Sequence, residues 1–159
     1  MRKTAAAAIS VLIAASALVG FKSYQDSQEQ IDQKQLRTML QELGYEVKDL
    51  VTDPGKEKYT VTITTGGLDI PVGYEISPSK NYIWLTVNLG APFEDASPKN
   101  IALLKDNATI QPAFFYVTKS NLLMMGLPVD NRGLTNAIMR QRTDFIAGKA
   151  VSTQSSWKK

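Results

Sequence analysis

The sequence predicts an α+β domain with two layers, in which an antiparallel sheet of about five strands packs against three helices. Three consecutive segments alternate apolar and polar residues with a period of two, which is typical of strands with one buried face. Apolar residues at helical spacing occur before, between and after the strand segments, and this gives the order α-βββ-α-ββ-α. Short turns connect neighbouring strands, so hairpins and an antiparallel two-layer domain are expected.

Residues 1–20 precede this domain and have the layout of a secretory signal peptide. Arg2 and Lys3 form a basic start, and an uncharged apolar run rich in alanine follows them. The run is shorter than the roughly 20 residues that a membrane-spanning helix needs. We therefore expect a bacterial Sec-type export signal, and a protein that is periplasmic or secreted.

Small residues mark the end of this leader. Ala15 and Ala17 fit the A-x-A rule, which predicts cleavage after Ala17, with a cut after Gly20 as the alternative. A leader that is not cleaved and anchors the protein in the membrane is the other interpretation. Residues 21–26 are predicted to be a linker.

The composition excludes several functions. The chain has 18 basic and 15 acidic residues, so loss of Arg2 and Lys3 leaves 16 against 15 and no basic stripe for nucleic acid. It has no cysteine and no histidine. Disulfides, thiol catalysis, Cys/His zinc sites and histidine-based triads are thereby excluded. We predict that the protein is not an enzyme and has no metal or other cofactor.

The first helix is expected to begin near Ser27, which forms an S-x-x-Q capping box with Gln30. Gly44 is the expected residue just after the helix end, and Tyr45 begins a short extended segment. The folded domain is predicted to cover residues 27–150.

The three alternating strand segments follow, and the second of them contains Pro71. Proline has no N–H group to donate within a sheet, so Pro71 favours an edge position or a bulge. The next helix is predicted to begin after the N-cap Ser97, with Ile101, Leu103 and Leu104 on its apolar side.

Two more strands are predicted in the second half of the chain. Residues 113–119 form the fourth strand, in which Phe114 and Phe115 place one ring on each face of the sheet. A fifth strand runs from Leu122 and is expected to end before Pro128.

The last helix is predicted to begin after the N-cap Thr135. Four apolar residues supply its buried stripe, namely Leu134, Ile138, Phe145 and Ile146. Residues 151–159 are polar and are predicted to form a flexible tail.

One combination of motifs carries a family resemblance. A Leu-Leu-x-x-Asn helix ends at Asn107, an aromatic strand begins at Phe114, an aliphatic strand begins at Leu122, and a Leu-Thr pair at 134–135 starts a helix. This pattern resembles the type III secretion chaperone-like superfamily and, within it, the YbjN-like group of bacterial proteins. The resemblance covers roughly residues 27–150 and is carried by core and capping residues.

The resemblance implies a non-enzymatic domain that binds proteins and is often a homodimer. Secretion chaperones of this superfamily hold extended segments of client proteins in the cytosol and are usually acidic. The YbjN-like group is linked to sensory or stress regulation. Because this chain has a leader and is nearly neutral without it, we expect a role in the envelope instead of type III secretion.

A surface for a protein partner is predicted on two strands. Tyr82 and Trp84 lie on the polar side of the third strand, which is either open for recognition or covered by another element. Side chains alternate along a strand, so one of Met124 and Met125 must point away from the core. The candidate partner-binding residues are Tyr82, Trp84, Met124 and Met125.

The leading hypothesis from the sequence is an exported, non-catalytic protein-binding or chaperone-like module. Its partner would be another protein or a second copy of the chain, and the membrane would be a partner only if the leader is not cleaved. Two alternatives stay open. One is a small envelope hydrolase with two converging carboxylates, and the other is a structural envelope protein held at the membrane by its leader.

Overall fold

A computed structural model of the protein describes residues 29–95 and 97–158. The described residues form six strands and four helices, of which three helices are long. The predicted α+β class is confirmed, with a sixth strand and a short fourth helix in addition. The predicted leader with Ala15 and Ala17, its cleavage site, the linker over 21–26 and Ser27 lie outside the described residues.

The elements follow one another in a simple order along the chain. They are α1 (Gln33–Glu42), β1 (Lys48–Val51), β2 (Lys58–Thr65), β3 (Leu68–Ile76), β4 (Tyr82–Gly90), α2 (Pro98–Asp106), β5 (Phe114–Val117), β6 (Leu123–Asp130), α3 (Asn136–Ser152) and α4 (Gln154–Trp157). None of the helices within the described ranges is long and apolar enough to cross a membrane.

The six strands form one antiparallel sheet in the order β1-β2-β3-β4-β6-β5. The additional strand, β1, lies in the segment after Tyr45 that was expected to be extended. Sheet order departs from chain order only at β5 and β6, because α2 carries the chain outward from β4 and the β5–β6 hairpin returns to it. Consequently β6 lies inside the sheet and β5 forms an edge.

The helices pack on one face of the sheet, and the core lies between the two layers. The longest helix, α3, contacts β2, β3, β4 and β6. Its Thr143 hydroxyl lies 2.8 Å from the Tyr74 hydroxyl of β3, a hydrogen bond that satisfies both buried groups. The strand residues predicted to face inward, such as Val61, Val72 and Leu85, are buried in this core. The alternation in the sequence therefore identified the covered face correctly.

The first helix begins later than predicted. Asp32, not Ser27, is the N-cap, and its carboxylate accepts a hydrogen bond from the Gln35 backbone N–H at 2.8 Å. The Gln35 side chain accepts in return from the Asp32 backbone N–H at 2.8 Å, which completes a capping box. Gln30 forms an isolated β-bridge with Arg132 instead of entering the helix. An aspartate caps a helix as well as a serine does, so the sequence offers two competing capping boxes, one at Ser27 and one at Asp32. The tertiary pairing of Gln30 with Arg132 favours the box at Asp32.

The end of this helix is as predicted. Gly44 has φ of +82° and its N–H donates to the Gln41 carbonyl at 2.8 Å. The Tyr45 N–H donates to the Leu40 carbonyl at 3.2 Å. These two bonds define a Schellman motif, for which glycine has the lowest conformational cost.

Both prolines of the sheet depart from the prediction. Pro71 lies in β3, an interior strand, but β3 pairs with β4 only from Val72 onward, so that side of Pro71 has no ladder to interrupt. Pro128 does not end β6, which continues to Asp130 beyond the last residue paired with β5. At each proline, one neighbouring strand is therefore not paired, so the missing N–H interrupts no hydrogen bond on that side, as at the edge of a sheet.

The buried stripes of two helices also differ from the prediction. In α2 only Leu103 is buried, whereas Ile101 and Leu104 are 56% and 65% exposed. The reason is that Leu103 and Asn107, four residues apart, face β5, and Ile101 and Leu104 share another side. The stripe of α3 consists of Met139, Thr143, Ile146, Ala147 and Ala150.

Only Ile146 of the residues predicted for the last stripe is fully buried; Leu134 and Phe145 are partly buried, and Ile138 is 38% exposed. Small residues let α3 approach the sheet closely, and a search for large apolar residues overlooks them.

The predicted flexible tail over 151–159 is wrong for the described part of that segment. Helix α3 continues to Ser152, and α4 follows as a separate short helix. The Trp157 indole N–H donates to the Ala150 carbonyl at 2.7 Å, and its ring packs against the core. The mostly polar composition of the segment concealed its two apolar contacts with the core, Val151 and Trp157.

Candidate functional site

The candidate site is the sheet face opposite the helices, which we call the open face. It consists of the strand residues that alternate with the core, namely Tyr82, Trp84, Thr86, Phe114, Tyr116, Met124, Gly126 and Pro128. Side chains at the centre of this face, such as Trp84 and Met124, keep some exposure to solvent, and helix residues border the face at Tyr116 and Pro128. An antiparallel sheet with one uncovered face normally carries polar residues there, so a concentration of aromatic rings is unusual.

Three rings form a contiguous group, the aromatic cluster of Trp84, Phe114 and Tyr116. The ring centroids of Trp84 and Phe114 are 6.2 Å apart at an interplanar angle of 85°. The centroids of Phe114 and Tyr116 are 5.6 Å apart with a tilt of 45°. These are favourable geometries for aromatic pairs. The cluster is partly buried because its rings cover one another.

Gly126 forms the floor beneath two of the rings. It pairs with Phe114 on β5 and with Thr86 on β4, and it is buried. A Cβ atom on Gly126 would lie 3.0 Å from Tyr116 Cε1 and 3.4 Å from Phe114 Cζ. The rings therefore rest directly on the backbone of β6, as expected where a glycine interrupts a strand.

Charged residues border the cluster on the β3 side. Trp84 pairs with Glu75 in the sheet, and the Glu75 carboxylate lies 2.7 Å from Lys58 Nζ in a half-exposed ion pair. Burial raises the pKa of the Tyr116 hydroxyl, and the nearby Glu75 carboxylate raises it further. The open face is therefore partly dehydrated at its centre and charged along one side.

The structure brings three of the four predicted site residues to this face. Tyr82 is 45% exposed, while Trp84 and Met124 are partly buried, and all three project from the open side of the sheet. The inclusion of Met125 was wrong, because its side chain is fully buried in the core. Met125 pairs with Val87 on the covered face, and alternation then assigns Met124 to the open face.

Two rings of the site were missed in the sequence. The sequence predicted that Phe114 and Phe115 lie on opposite faces of the sheet, but it did not predict that Phe114 and Tyr116 lie close to Trp84. Their proximity depends on β5 joining the sheet beyond β6, which no local pattern indicates. Gly126 was the available signal, since an isolated glycine within a strand often marks a close approach.

The edges of the sheet are less suited to binding than its open face. At β5, the Asn107 side chain accepts a hydrogen bond from the Phe115 N–H at 2.7 Å and donates to the Phe115 carbonyl at 3.3 Å. These bonds occupy the outward backbone groups of Phe115, which an added strand would otherwise use. The other edge, β1, is short, contains a bulge after Asp49 and bears charged residues. Such features are typical of protected edges.

A groove lies beside the open face, between α2 and β5, and we call it the α2 groove. Its volume is about 350 Å³. Mostly apolar side chains line it, including Phe93, Leu103, Leu104, Phe115, Tyr116 and Val117. Tyr116 belongs to both the groove and the open face, so apolar surface continues around the β5 edge.

No group of three or more Asp, Glu, His or Cys side chains in the described ranges could hold a metal ion. The Asp130 carboxylate accepts hydrogen bonds from Arg132, which lowers its pKa, as for a structural ion pair. Among the described residues that line the α2 groove, Asp95 is the one with a carboxylate.

The described fold and site define a two-layer α+β domain with one face of its sheet open and aromatic. Comparison with family models, curated proteins and solved structures finds no match.

Proposed function

We propose that this protein is an exported, non-catalytic module that binds another protein through the open face. The aromatic cluster carries the proposal: Trp84, Phe114 and Tyr116 form a partly buried apolar patch on the open face, with Met124 on the same face. Aromatic residues and methionine are enriched at the centres of protein interfaces. The partner is a client protein or a second copy of the chain.

The shape of the cluster favours protein side chains as the bound groups. Its rings meet at 85° and 45°, so they form ridges and hollows instead of one flat platform. Met124 adds a flexible thioether that adapts to apolar partners of different shape. The protected edges at Asn107 and β1 direct binding to the face of the sheet.

The leader and the family resemblance support the location and the class of this function. A Sec-type signal over residues 1–20 would deliver the domain to the envelope. The resemblance to the YbjN-like group implies a protein-binding domain with a role in envelope stress or regulation. Both lines of reasoning are independent of the aromatic cluster.

Site-specific photocrosslinking in the producing bacterium tests the proposal. A photoreactive amino acid at Thr86, on the floor of the open face, should form a crosslinked species of discrete mass. The same amino acid at Gln41, exposed on α1, is the control and should not. A species of twice the chain mass identifies self-association, and any other discrete mass identifies a client.

The variant Trp84→Ala connects the crosslink to the cluster. It should reduce the Thr86 crosslink at least severalfold while the domain still unfolds cooperatively, because the ring is only partly buried. The proposal fails if Thr86 and Gln41 give the same products, or if Trp84→Ala leaves the crosslink unchanged.

A further inference from the structure

Helix α2 is weakly attached to the rest of the domain. It buries one side chain, Leu103, and exposes Ile101 and Leu104 to solvent. On the sheet side it is held by Leu103 and by the two hydrogen bonds between Asn107 and Phe115. A helix with so few buried contacts belongs to the low-stability end of a domain and opens more readily than the core.

The second attachment of α2 comes from α4. The two helices are in contact, and Lys99 Nζ donates a hydrogen bond to the Lys158 carbonyl at 2.8 Å. The same ammonium group lies 4.9 Å from the centroid of the Phe93 ring, which lines the α2 groove. Lys99 therefore connects the residue after α4 with the opening of the α2 groove.

Helix α4 is anchored to the core by the side chain of Trp157. Four residues are too few for a helix to be stable alone. Trp157 holds α4 in place by packing on the core and by donating to the Ala150 carbonyl of α3 at 2.7 Å. Helix α3 therefore holds α4 in place through Trp157, and α4 in turn holds α2 through the hydrogen bond to Lys99.

We propose that α4 is a latch that keeps α2 closed over the α2 groove. When Trp157 is docked, α2 and its buried Leu103 cover the floor of the groove, formed by Phe115 and Leu123. When Trp157 leaves its site, α2 loses its outer attachment and swings away from β5, which exposes that floor. Any event that removes Trp157 from α3 thereby controls access to the groove. This device does not rest on the proposed binding role of the open face, although Tyr116 borders both surfaces.

Amide hydrogen exchange of the full-length purified protein tests the latch. Trp157→Ala removes the anchor, and Lys99→Met removes the hydrogen bond while keeping most of the apolar stem. In both variants, exchange over 101–107 should rise about tenfold, the effect expected from losing a hydrogen bond and its packing. Exchange in β3 and β4 should stay at the level of the unmodified protein. An apolar fluorescent dye should bind the variants more strongly, because the groove floor is exposed.

Trp84→Ala is the matched control, since it removes the same side chain from the opposite face of the sheet. It should leave exchange over 101–107 unchanged. The latch is contradicted if exchange over 101–107 is unaffected in both variants. It is equally contradicted if exchange rises to the same extent in α2, β3 and β4, because α4 would then be an ordinary part of the core. Lys99→Met decides the question if Trp157→Ala does not fold.

Discussion

The two faces of the sheet bury apolar side chains in different ways. On the covered face, Leu85, Met125 and Leu127 are fully buried because α3 and its neighbours form a second layer. On the open face, Trp84 and Phe114 are only partly buried, and they are shielded by each other and by the glycine floor. On the covered face the second layer buries the apolar side chains completely, whereas on the open face part of the apolar surface stays exposed.

This difference separates residues that maintain the fold from residues that are free to bind. Apolar surface inside the core contributes to stability at roughly 25 cal/mol per Å². The same surface on the open face contributes only the part that neighbouring rings cover, and the remainder is available to a partner. Neighbouring residues on one strand therefore differ in how much they stabilise the fold, and under the proposed function the outward one contacts the partner.

Met124 and Met125 provide the strongest test of this comparison. Met125→Ala should lower the free energy of unfolding by about 2–5 kcal/mol, because it opens a cavity in the core. Met124→Ala should lower it by less than about 1 kcal/mol, because the side chain is partly exposed and its loss leaves no enclosed cavity. Urea unfolding of both variants, with equal m-values, measures the difference.

Equal losses in the two methionine variants would contradict the comparison, since they would place both side chains in similar surroundings. A larger loss for Met124→Ala would reverse the assignment of the two faces.

The second test uses alkaline pH, because burial raises the pKa of the tyrosines on both faces to different extents. Tyr74, in the core, has its pKa raised far above the usual 10 by burial, whereas Tyr116 on the open face is raised less. A raised pKa in the folded state gives stability that is complete below pH 10 and is lost as the pH rises above it. Above pH 10, Tyr74 should therefore make the free energy of unfolding fall by about 1.4 kcal/mol per pH unit.

Tyr74→Phe should reduce this slope, and Tyr116→Phe should change it less. The first variant should also cost about 1 kcal/mol at neutral pH, because the Thr143 hydroxyl loses its partner. Denaturation of each variant between pH 8 and 11.5 measures both effects. If Tyr116→Phe reduced the slope of the free energy of unfolding against pH more than Tyr74→Phe does, the assignment of Tyr74 to the more strongly buried face would be contradicted.

The covered face could be predicted from the sequence in most respects. Alternation over β2, β3 and β4 identifies the inward residues, and Gly44, Ser97 and Thr135 mark helix ends by local chemistry. The failures have tertiary causes. Gln30 pairs with Arg132, Leu103 instead of Ile101 faces β5, and Trp157 returns to α3. None of these partners is close in sequence, so no local pattern reports them.

The open face could be predicted only in part. Alternation correctly placed Tyr82 and Trp84 opposite Ile83, and it required one of two methionines to face outward. It could not decide between Met124 and Met125, because both are apolar and the register with β4 settles the choice. The contribution of Phe114 and Tyr116 followed only from the strand order, in which β5 lies beyond β6.

The most direct test of the proposed binding role is an affinity comparison between the two sides of the domain. The species crosslinked at Thr86, either a purified client or a second copy, is titrated against the unmodified protein, Trp84→Ala and Ile138→Ala by sedimentation or calorimetry. Ile138 is a large apolar residue that is 38% exposed on α3, and it serves as the control on the helix side.

Trp84→Ala should weaken binding about 30-fold, corresponding to the roughly 2 kcal/mol of an interface hot spot, and Ile138→Ala should change it less than about twofold. Equal affinities for the unmodified protein and Trp84→Ala would contradict the open face as the binding surface.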